Sequence, residues 1–312
     1  MAGSSKKAIY AALVGNSLIA ITKFAAAVYT GSAAMMSEGI HSLVDTGNQV
    51  LLLYGIKRAG QPASAEFPFG HGKEIYFWCF VVAMLIFALG GAVSIYKGWQ
   101  HIAQPAEIAN LTINYIVLGF AMVFEAGALW VAFREFNASR GSQSIVQAIT
   151  RGKDPTLFVV VFEDSAAMLG LIIALLGIFM YQVTGNPVFD GLASIGIGIV
   201  LVLTAIILAI ESKNLLIGES AEPEIVSDMR KILDGDERIM GINEVATLHM
   251  GPDFIIATVS ADFVDSVSSD ELESAVTELT GRIKAIDSRI KRVFIEAERK
   301  EDHRAGTQLA GE

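Results

Sequence analysis

Six long apolar segments constrain this chain more than any other feature of its sequence. Each is about 20 residues or longer, the length that an α-helix needs to cross the hydrocarbon core of a bilayer. Hydrophobic residues make up 53% and charged residues 18% of the chain, and the mean hydropathy is +0.50. This composition is typical of a polytopic α-helical membrane protein. The predicted transmembrane helices are residues 8–30, 32–56, 75–96, 111–133, 156–181 and 187–210.

The last hundred or so residues have the patterning of a small soluble domain. Its pattern begins with a helical period, which is followed by two strands around a Gly-Pro-Asp turn, a second helical period and a final strand. This order predicts an α+β (α-β-β-α-β) fold. Ser269 is the predicted N-cap of the second helix. The predicted organisation is a transmembrane domain at 1–211, a linker at 212–221, a cytoplasmic domain at 222–298 and a disordered tail at 299–312.

Lysine and arginine are concentrated in alternate connections, which predicts that both termini are cytoplasmic. Lys23 lies inside the first span, where we expect its side chain to snorkel toward an interface. The net charge of −10 argues against a nucleic-acid partner, and the sequence holds no nucleotide-binding loop. Cys79 is the single cysteine, so no intrachain disulfide is possible. The basic residues on the predicted cytoplasmic side are Lys6, Lys7, Lys57, Arg58, Lys73, Arg134, Arg140, Arg151, Lys153 and Lys213.

The second predicted span is the most polar, and its polar residues recur at helical spacing. His41 and Asp45 are four residues apart and Asn48 is three further on, so they share one face of a helix. An ionisable side chain near the bilayer centre costs about 2.5–3.5 kcal/mol on insertion scales. A bound cation in the bundle interior would offset that cost, with Asp164 of the fifth span as a third ligand. The alternative is that His41 and Asp45 form a hydrogen-bonded pair that only packs the bundle.

Three further acids lie in apolar segments and have a structural and a functional interpretation. Glu125 and Glu163 either make polar contacts between helices or belong to a proton path. Glu163 neighbours Asp164 in sequence, about 100° around the helix, so we expect it to face elsewhere. Asp190 falls in the first turn of the sixth span, where a carboxylate favours the helix dipole, and a structural role is the preferred interpretation.

The remaining metal-binding candidates lie outside the apolar segments. His71 with Glu66 and Glu74 is a candidate second site in the loop before the third span, although capping or loop packing is preferred. In the C-terminal domain, His249 and His303, with Glu296 and Glu298, are too few for a well-formed metal site.

Two stretches of the sequence resemble signatures of one family. They are Gly-Ser-Ala-Ala-Met-Met-Ser-Glu-Gly-Ile-His-Ser-Leu-Val-Asp at 31–45 and Phe-Pro-Phe-Gly-His-Gly-Lys-Glu at 67–74. They are similar to the second helix and the entry to the third helix of the cation diffusion facilitators, the zinc transporters. The Glu-Asp-Ser-Ala-Ala run at 163–167 is similar to the zinc-transporter-9-like branch. The resemblance extends over residues 8–298.

The resemblance implies a homodimeric secondary active transporter, not an enzyme. It would export Zn2+, with Mn2+, Fe2+ or Co2+ as alternatives, from the cytoplasm in exchange for protons by alternating access, in a bacterial inner membrane. The family's helix-two ligand pair corresponds to His41 and Asp45, and its second helix-five ligand corresponds to Asp164. Its first helix-five ligand corresponds to Val160, which cannot bind metal. The family's C-terminal domain implies a dimerisation role here.

Two other functions remain open at this level. Val160 and the scarcity of histidines in the C-terminal domain are also compatible with a membrane-anchored metal sensor or scaffold whose transport has lapsed. A passive cation channel is the third possibility. Asn48, Glu125 and Glu163 are the candidate additional ligands, and an oxygen-rich set would favour Mn2+, Fe2+ or Co2+ over Zn2+.

Overall fold

A computed structural model describes residues 2–139 and 155–310. The chain forms two compact units, each described by itself: Met1–Lys57 with Ile75–Lys213, and Arg58–Glu74 with Asn214–Glu312. The predicted boundary at residue 211 falls near this division, but residues 58–74 join the second unit. Arg140, Arg151 and Lys153, which entered the prediction of orientation, lie outside the described residues.

The first unit consists mainly of long helices. Within the described ranges they are α1 (Ala2–Thr30), α2 (Ala33–Ala59), α3 (Glu74–Ala103), α4 (Leu111–Ser139), α5 (Pro155–Thr184) and α6 (Val188–Ile217). Among the described residues, four helices are long and apolar enough to cross a membrane, namely α3 to α6 over most or all of their lengths. The chain is therefore a helical membrane protein. The predicted count of six spans remains a prediction, since α1 and α2 carry more polar residues.

Paired glycines bring α3 and α6 into backbone contact. A Cβ on Gly98 would lie 2.5 Å from the carbonyl oxygen of Gly191, and one on Gly198 would lie 2.7 Å from that of Gly91. The two pairs are seven residues apart on each helix, so they mark one stripe along an antiparallel interface. Small residues permit such close approach in membrane helices, where van der Waals packing drives association. Around Gly91, α3 is π-helical over Ile86–Ala92.

The buried carboxylate of Asp190, in the first turn of α6, binds the N-terminus of α2. Its oxygens accept hydrogen bonds from Ser32 Oγ at 2.6 Å, Ala33 N at 2.5 Å and Ala34 N at 3.4 Å. His101 Nε2 of α3 lies 3.6 Å from Asp190 Oδ2. Asp190 therefore has the structural role preferred from the sequence, but its principal partner is the N-terminus of a different helix.

The second unit contains a small α/β domain whose element order agrees with the prediction. It comprises α7 (Pro223–Asp234), β1 (Ile239–Gly251), β2 (Phe254–Phe263), α8 (Ser269–Ile286), β3 (Ile290–Ala297) and α9 (Lys300–Ala310). The sheet order is β1-β2-β3, with β1 antiparallel and β3 parallel to β2. Apolar faces of α7 and α8 bury against the sheet, with Met229, Leu279 and Ala257 in the core.

Three sequence-based boundaries of the second unit need correction. The predicted linker at 212–221 begins inside α6, which continues to Ile217. The N-cap of α8 is Ser268, one residue before the predicted Ser269, and it forms a reciprocal capping box with Glu271. The predicted disordered tail at 299–312 is helical over Lys300–Ala310, and its first backbone N–H, that of Lys300, donates a hydrogen bond of 3.2 Å to Asp262 Oδ2.

Candidate functional site

The polar residues of α2 form a buried stripe along one face. Glu38, His41, Ser42 and Asn48 are buried, and the Asp45 side chain is 16% exposed. Their spacings of three and four residues place them one above the other, as a helical period requires. The stripe is therefore an interior surface of the first unit, as predicted for His41, Asp45 and Asn48.

His41 and Asp45 are in contact without forming a hydrogen bond. His41 Nδ1 lies 3.3 Å from Asp45 Oδ1, yet both ring nitrogens of His41 and Asp45 Oδ1 have no hydrogen-bond partner among the described residues. A pair that only packed the bundle would be expected to satisfy these atoms, because an unpartnered buried polar atom costs about 1–3 kcal/mol. Imidazole nitrogen and carboxylate oxygen are atoms that bind divalent metals, so the donor set fits a cation.

Asp164 of α5 and Asp45 of α2 line the same cavity. Its volume is about 680 Å³, and its lining includes Glu125 of α4, Glu163 and Val160. Asp45 interacts electrostatically with all three of these acids, Asp164 included. Val160, where the resemblance places a ligand, presents an apolar side chain to this acidic cavity.

The structure corrects the orientation expected for Glu163. This side chain is buried and its Oε1 accepts a hydrogen bond of 2.7 Å from Asn48 Nδ2. It also lines the cavity together with Asp164. Glu163 therefore faces α2 rather than pointing elsewhere, since the 100° separation from its neighbour still leaves both side chains on the inner half of α5.

The predicted ligands do not form a closed three-residue site in this conformation. Over residues 2–139 and 155–310, no three His, Cys, Asp or Glu side chains are grouped closely enough to hold a metal ion. His41 and Asp45 are adjacent and Asp164 shares a cavity with Asp45, so the contacts support a pair with a nearby third group.

Lys23 does not snorkel, and its environment was not foreseen. Its side chain is fully buried, and its ammonium donates to Glu38 Oε2 at 3.0 Å and to Ser42 Oγ at 2.8 Å. Lys23 and Glu38 lie eight and seven residues from Gly31, where the chain turns with a positive φ of 73° between α1 and α2. Nearly equal distances from the turn of a helical hairpin place two residues at similar depth, so this spacing was the signal in the sequence.

In the loop before α3, His71 has a local packing role. Its ring lies 4.4 Å from that of Phe67, and Nδ1 is 3.4 Å from Glu74 Oε1. Glu74 accepts three hydrogen bonds of 2.7–3.2 Å from the Arg58 guanidinium. A cation at His71 and Glu74 would compete with that guanidinium, and Glu66 is exposed. The observed contacts favour loop packing over the second metal site.

The histidines of the C-terminal domain lie apart. His249 is fully buried in the domain, whereas His303 Nδ1 lies 2.8 Å from Glu298 Oε2 near the start of α9. Hydrogen bonds from Ser260 and His303 hold the pKa of Glu298 below its usual value. Within the described residues, Glu296 and these side chains do not form a group that could hold a metal ion.

Comparisons with known proteins assign the family. The model of the cation efflux transmembrane domain matches residues 9–217. The human proton-coupled zinc antiporter SLC30A9, mitochondrial, is 34% identical over 259 residues, covering 82% of this chain and 46% of that protein. Metal tolerance protein C4 of Arabidopsis thaliana is 31% identical over 261 residues, covering 83% of this chain and 57% of its own length.

A bacterial relative matches over most of both chains. The cation-efflux pump FieF of Escherichia coli is 25% identical over 278 residues, covering 86% of this chain and 87% of FieF. By contrast, the chain spans about half the length of the SLC30A9 proteins that it matches. The family model covers residues 9–217, which include nearly all of the described helices of the first unit and the buried pair His41 and Asp45. This chain therefore belongs to the cation efflux, or cation diffusion facilitator, family, in its SLC30A9-like branch.

Proposed function

We propose that the chain exports Zn2+ across a membrane in exchange for protons, with His41, Asp45 and Asp164 as the groups that bind the transported ion. The observation that carries this proposal is the set of unpartnered atoms on His41 and Asp45 beside an acidic cavity. Four-coordinate zinc needs one more ligand. Glu163 or a water supplies it, because the side chain of Val160 cannot.

Metal and protons compete for the same atoms in this mechanism. Imidazole nitrogen and carboxylate oxygen bind a metal ion only when they are deprotonated, and histidine changes charge near neutral pH. Protonation from the far side releases the metal, and metal binding from the cytoplasmic side releases protons. Two conformations that expose the site to opposite sides in turn complete the cycle. In one of them Asp164 closes on His41 and Asp45, and Glu125 and Glu163 lie on the proton route.

The proposal includes an oligomeric state, a topology and a membrane. The protein works as a homodimer with six spans per protomer and cytoplasmic termini, in a bacterial inner membrane, and the α/β domain holds the dimer. Zn2+ is favoured over Mn2+, Fe2+ and Co2+ because relatives at 31–34% identity include a named zinc antiporter and because the ligand set contains an imidazole.

The decisive experiment measures metal uptake into proteoliposomes. Zn2+, Mn2+, Fe2+ and Co2+ are tested in parallel, with and without a pH gradient, using wild type, Asp45→Asn, Asp164→Asn and the exposed control Asp228→Asn. We expect gradient-dependent, saturable uptake of Zn2+ by wild type and the control, with at least tenfold loss in the two site variants. Uptake that ignores the pH gradient would refute antiport and favour a channel.

A metal sensor or scaffold is the second candidate, favoured by two observations. The position of the family's remaining ligand is the apolar Val160, which lines the cavity, and no closed three-residue site exists among the described residues. Zn2+ binding by folded wild type with no uptake of any of the four metals would support this candidate over transport.

A further inference from the structure

A second buried charge pair lies one turn from the proposed metal-binding residues. The Lys23 ammonium of α1 is held by Glu38 Oε2 at 3.0 Å and by Ser42 Oγ at 2.8 Å. Both charged side chains are 0% exposed. Removing two charges from water costs several kcal/mol per ion, which their attraction repays only in part. A pair that only stabilised the fold would therefore be a poor replacement for apolar packing.

The position of Lys23 links it to the site. Ser42 follows His41 directly and lines the acidic cavity together with Asp45. The Lys23 charge acts electrostatically on His41, Asp45 and Glu125. A divalent ion at His41 and Asp45 would thus bind in the field of a fixed positive charge.

Glu38 compensates Lys23 incompletely. One carboxylate oxygen accepts a hydrogen bond from the ammonium, whereas Oε1 points toward Gly170 of α5, so closely that a side chain at position 170 would clash with it. That oxygen has no hydrogen-bond partner in the described part of the chain. The Lys23 ammonium is held at Ser42, the residue next to His41, whereas the unpartnered oxygen of Glu38 points toward α5, so the positive end of the pair is the one beside the ligands.

We propose that Lys23 is a tethered cation that weakens binding of the transported divalent ion at His41 and Asp45 and thereby speeds its release. Glu38 and Ser42 position the ammonium. This inference deepens the proposed function and rests on it for the consequence on turnover. The effect on affinity, however, needs only that His41 and Asp45 bind the ion.

The positive charge of Lys23 determines whether each substitution raises or lowers the affinity for Zn2+. Lys23→Met removes the repulsion, so Zn2+ binds about tenfold more tightly and both KM and kcat fall, because release becomes slow. Lys23→Arg keeps the charge and stays near wild type. Lys23→Met/Glu38→Gln leaves no unpaired buried charge and still binds Zn2+ at least about fivefold more tightly, since Lys23 is the member of the pair held beside the ligands. A purely structural pair predicts no such joint fall of KM and kcat.

The test combines two measurements on the purified full chain. Calorimetric titration with Zn2+ alone, at fixed pH in detergent, gives the affinity, and proteoliposome uptake gives KM and kcat. Lys231→Met, an exposed lysine paired with Asp228 in the other unit, is the matched control. If Lys23→Met does not fold, the Zn2+ affinity of Lys23→Met/Glu38→Gln is the test of the proposal.

The outcomes separate this inference from the proposed function. Tighter Zn2+ binding by the double variant, with Lys23→Arg and Lys231→Met unchanged, supports the tethered cation even if wild type shows no uptake, in which case only the transport function fails. Unchanged affinity in Lys23→Met and the double variant overturns the inference while leaving transport intact. Equal effects of Lys23→Arg and Lys23→Met also overturn it, because charge would not be the cause. Absence of Zn2+ binding by wild type overturns both.

Discussion

Replacing Asp190 by asparagine removes one acceptor from the buried cap of α2. The carboxylate uses one oxygen for Ser32 Oγ and the other for Ala33 N. An amide offers one acceptor oxygen, and its NH2 group would face a donor. Loss of a hydrogen bond to a charged group costs about 1.5–3 kcal/mol, and loss of a helix N-cap costs about 0.5–2 kcal/mol. Since the same bonds enter both figures, we expect a net destabilisation of about 2–3 kcal/mol.

The single cysteine provides the assay. Cys79 in α3 is fully buried, so a thiol-reactive fluorophore labels it only when the helix bundle opens. When reclosing is fast, the labelling rate follows the open population. A loss of 2–3 kcal/mol therefore accelerates labelling by about 30- to 150-fold in detergent at constant temperature. The control Asp228→Asn should stay within twofold of wild type. An acceleration below threefold for Asp190→Asn would refute the assigned role of the cap.

Three further perturbations test other parts of the molecule. Val160→Asp adds a carboxylate to the acidic cavity and should tighten Zn2+ binding about tenfold in calorimetry. An unchanged affinity would mean that position 160 does not contact the bound ion. Hydrogen bonds from Arg238 hold the pKa of Asp236 at about 2, below its unfolded value, so the ionised carboxylate stabilises the domain above about pH 4 and this stabilisation is lost as pH falls through about 2. Hydrogen exchange in the C-terminal domain should show Asp236→Asn costing about 1–2 kcal/mol at pH 5 and less than about 0.5 kcal/mol at pH 2; a constant difference would contradict the assignment. Gly72→Ala places a Cβ in steric conflict with the carbonyl oxygen of Met250 and should cost about 1–3 kcal/mol, seen as faster hydrogen exchange in residues 58–74. Unchanged exchange would mean that the two backbones move apart without cost.

Local patterns were sufficient for much of the architecture. Apolar length predicted the four helices that are long and apolar enough to cross a membrane, and alternation and helical period predicted the α/β domain, because both depend on neighbours within one element. The face shared by His41, Asp45 and Asn48 also follows from the helical period alone. The buried state of this face in the structure agrees with that prediction.

Contacts between elements were harder to predict. Lys23 was expected at an interface because hydropathy treats each helix separately, whereas its partner Glu38 lies across a hairpin. Glu163 was expected to face away because sequence adjacency to Asp164 says nothing of how α5 is rotated against α2. The tail was expected to be disordered from its polarity, yet Asp262 of β2 fixes the start of α9. In each case the deciding partner lies in another element.

The cap of α2 also has a consequence for biosynthesis. Asp190 and Ser32 are 158 residues apart, which corresponds to about 8–30 s of translation at about 5–20 residues per second. For that interval the beginning of α2 lacks the carboxylate that completes it. Lys23 and Glu38 are only 15 residues apart, so the first two helices already contain a matched pair of opposite charges. In the predicted six-span topology, the nascent hairpin therefore enters the bilayer with this pair neutralised before any later helix has been made.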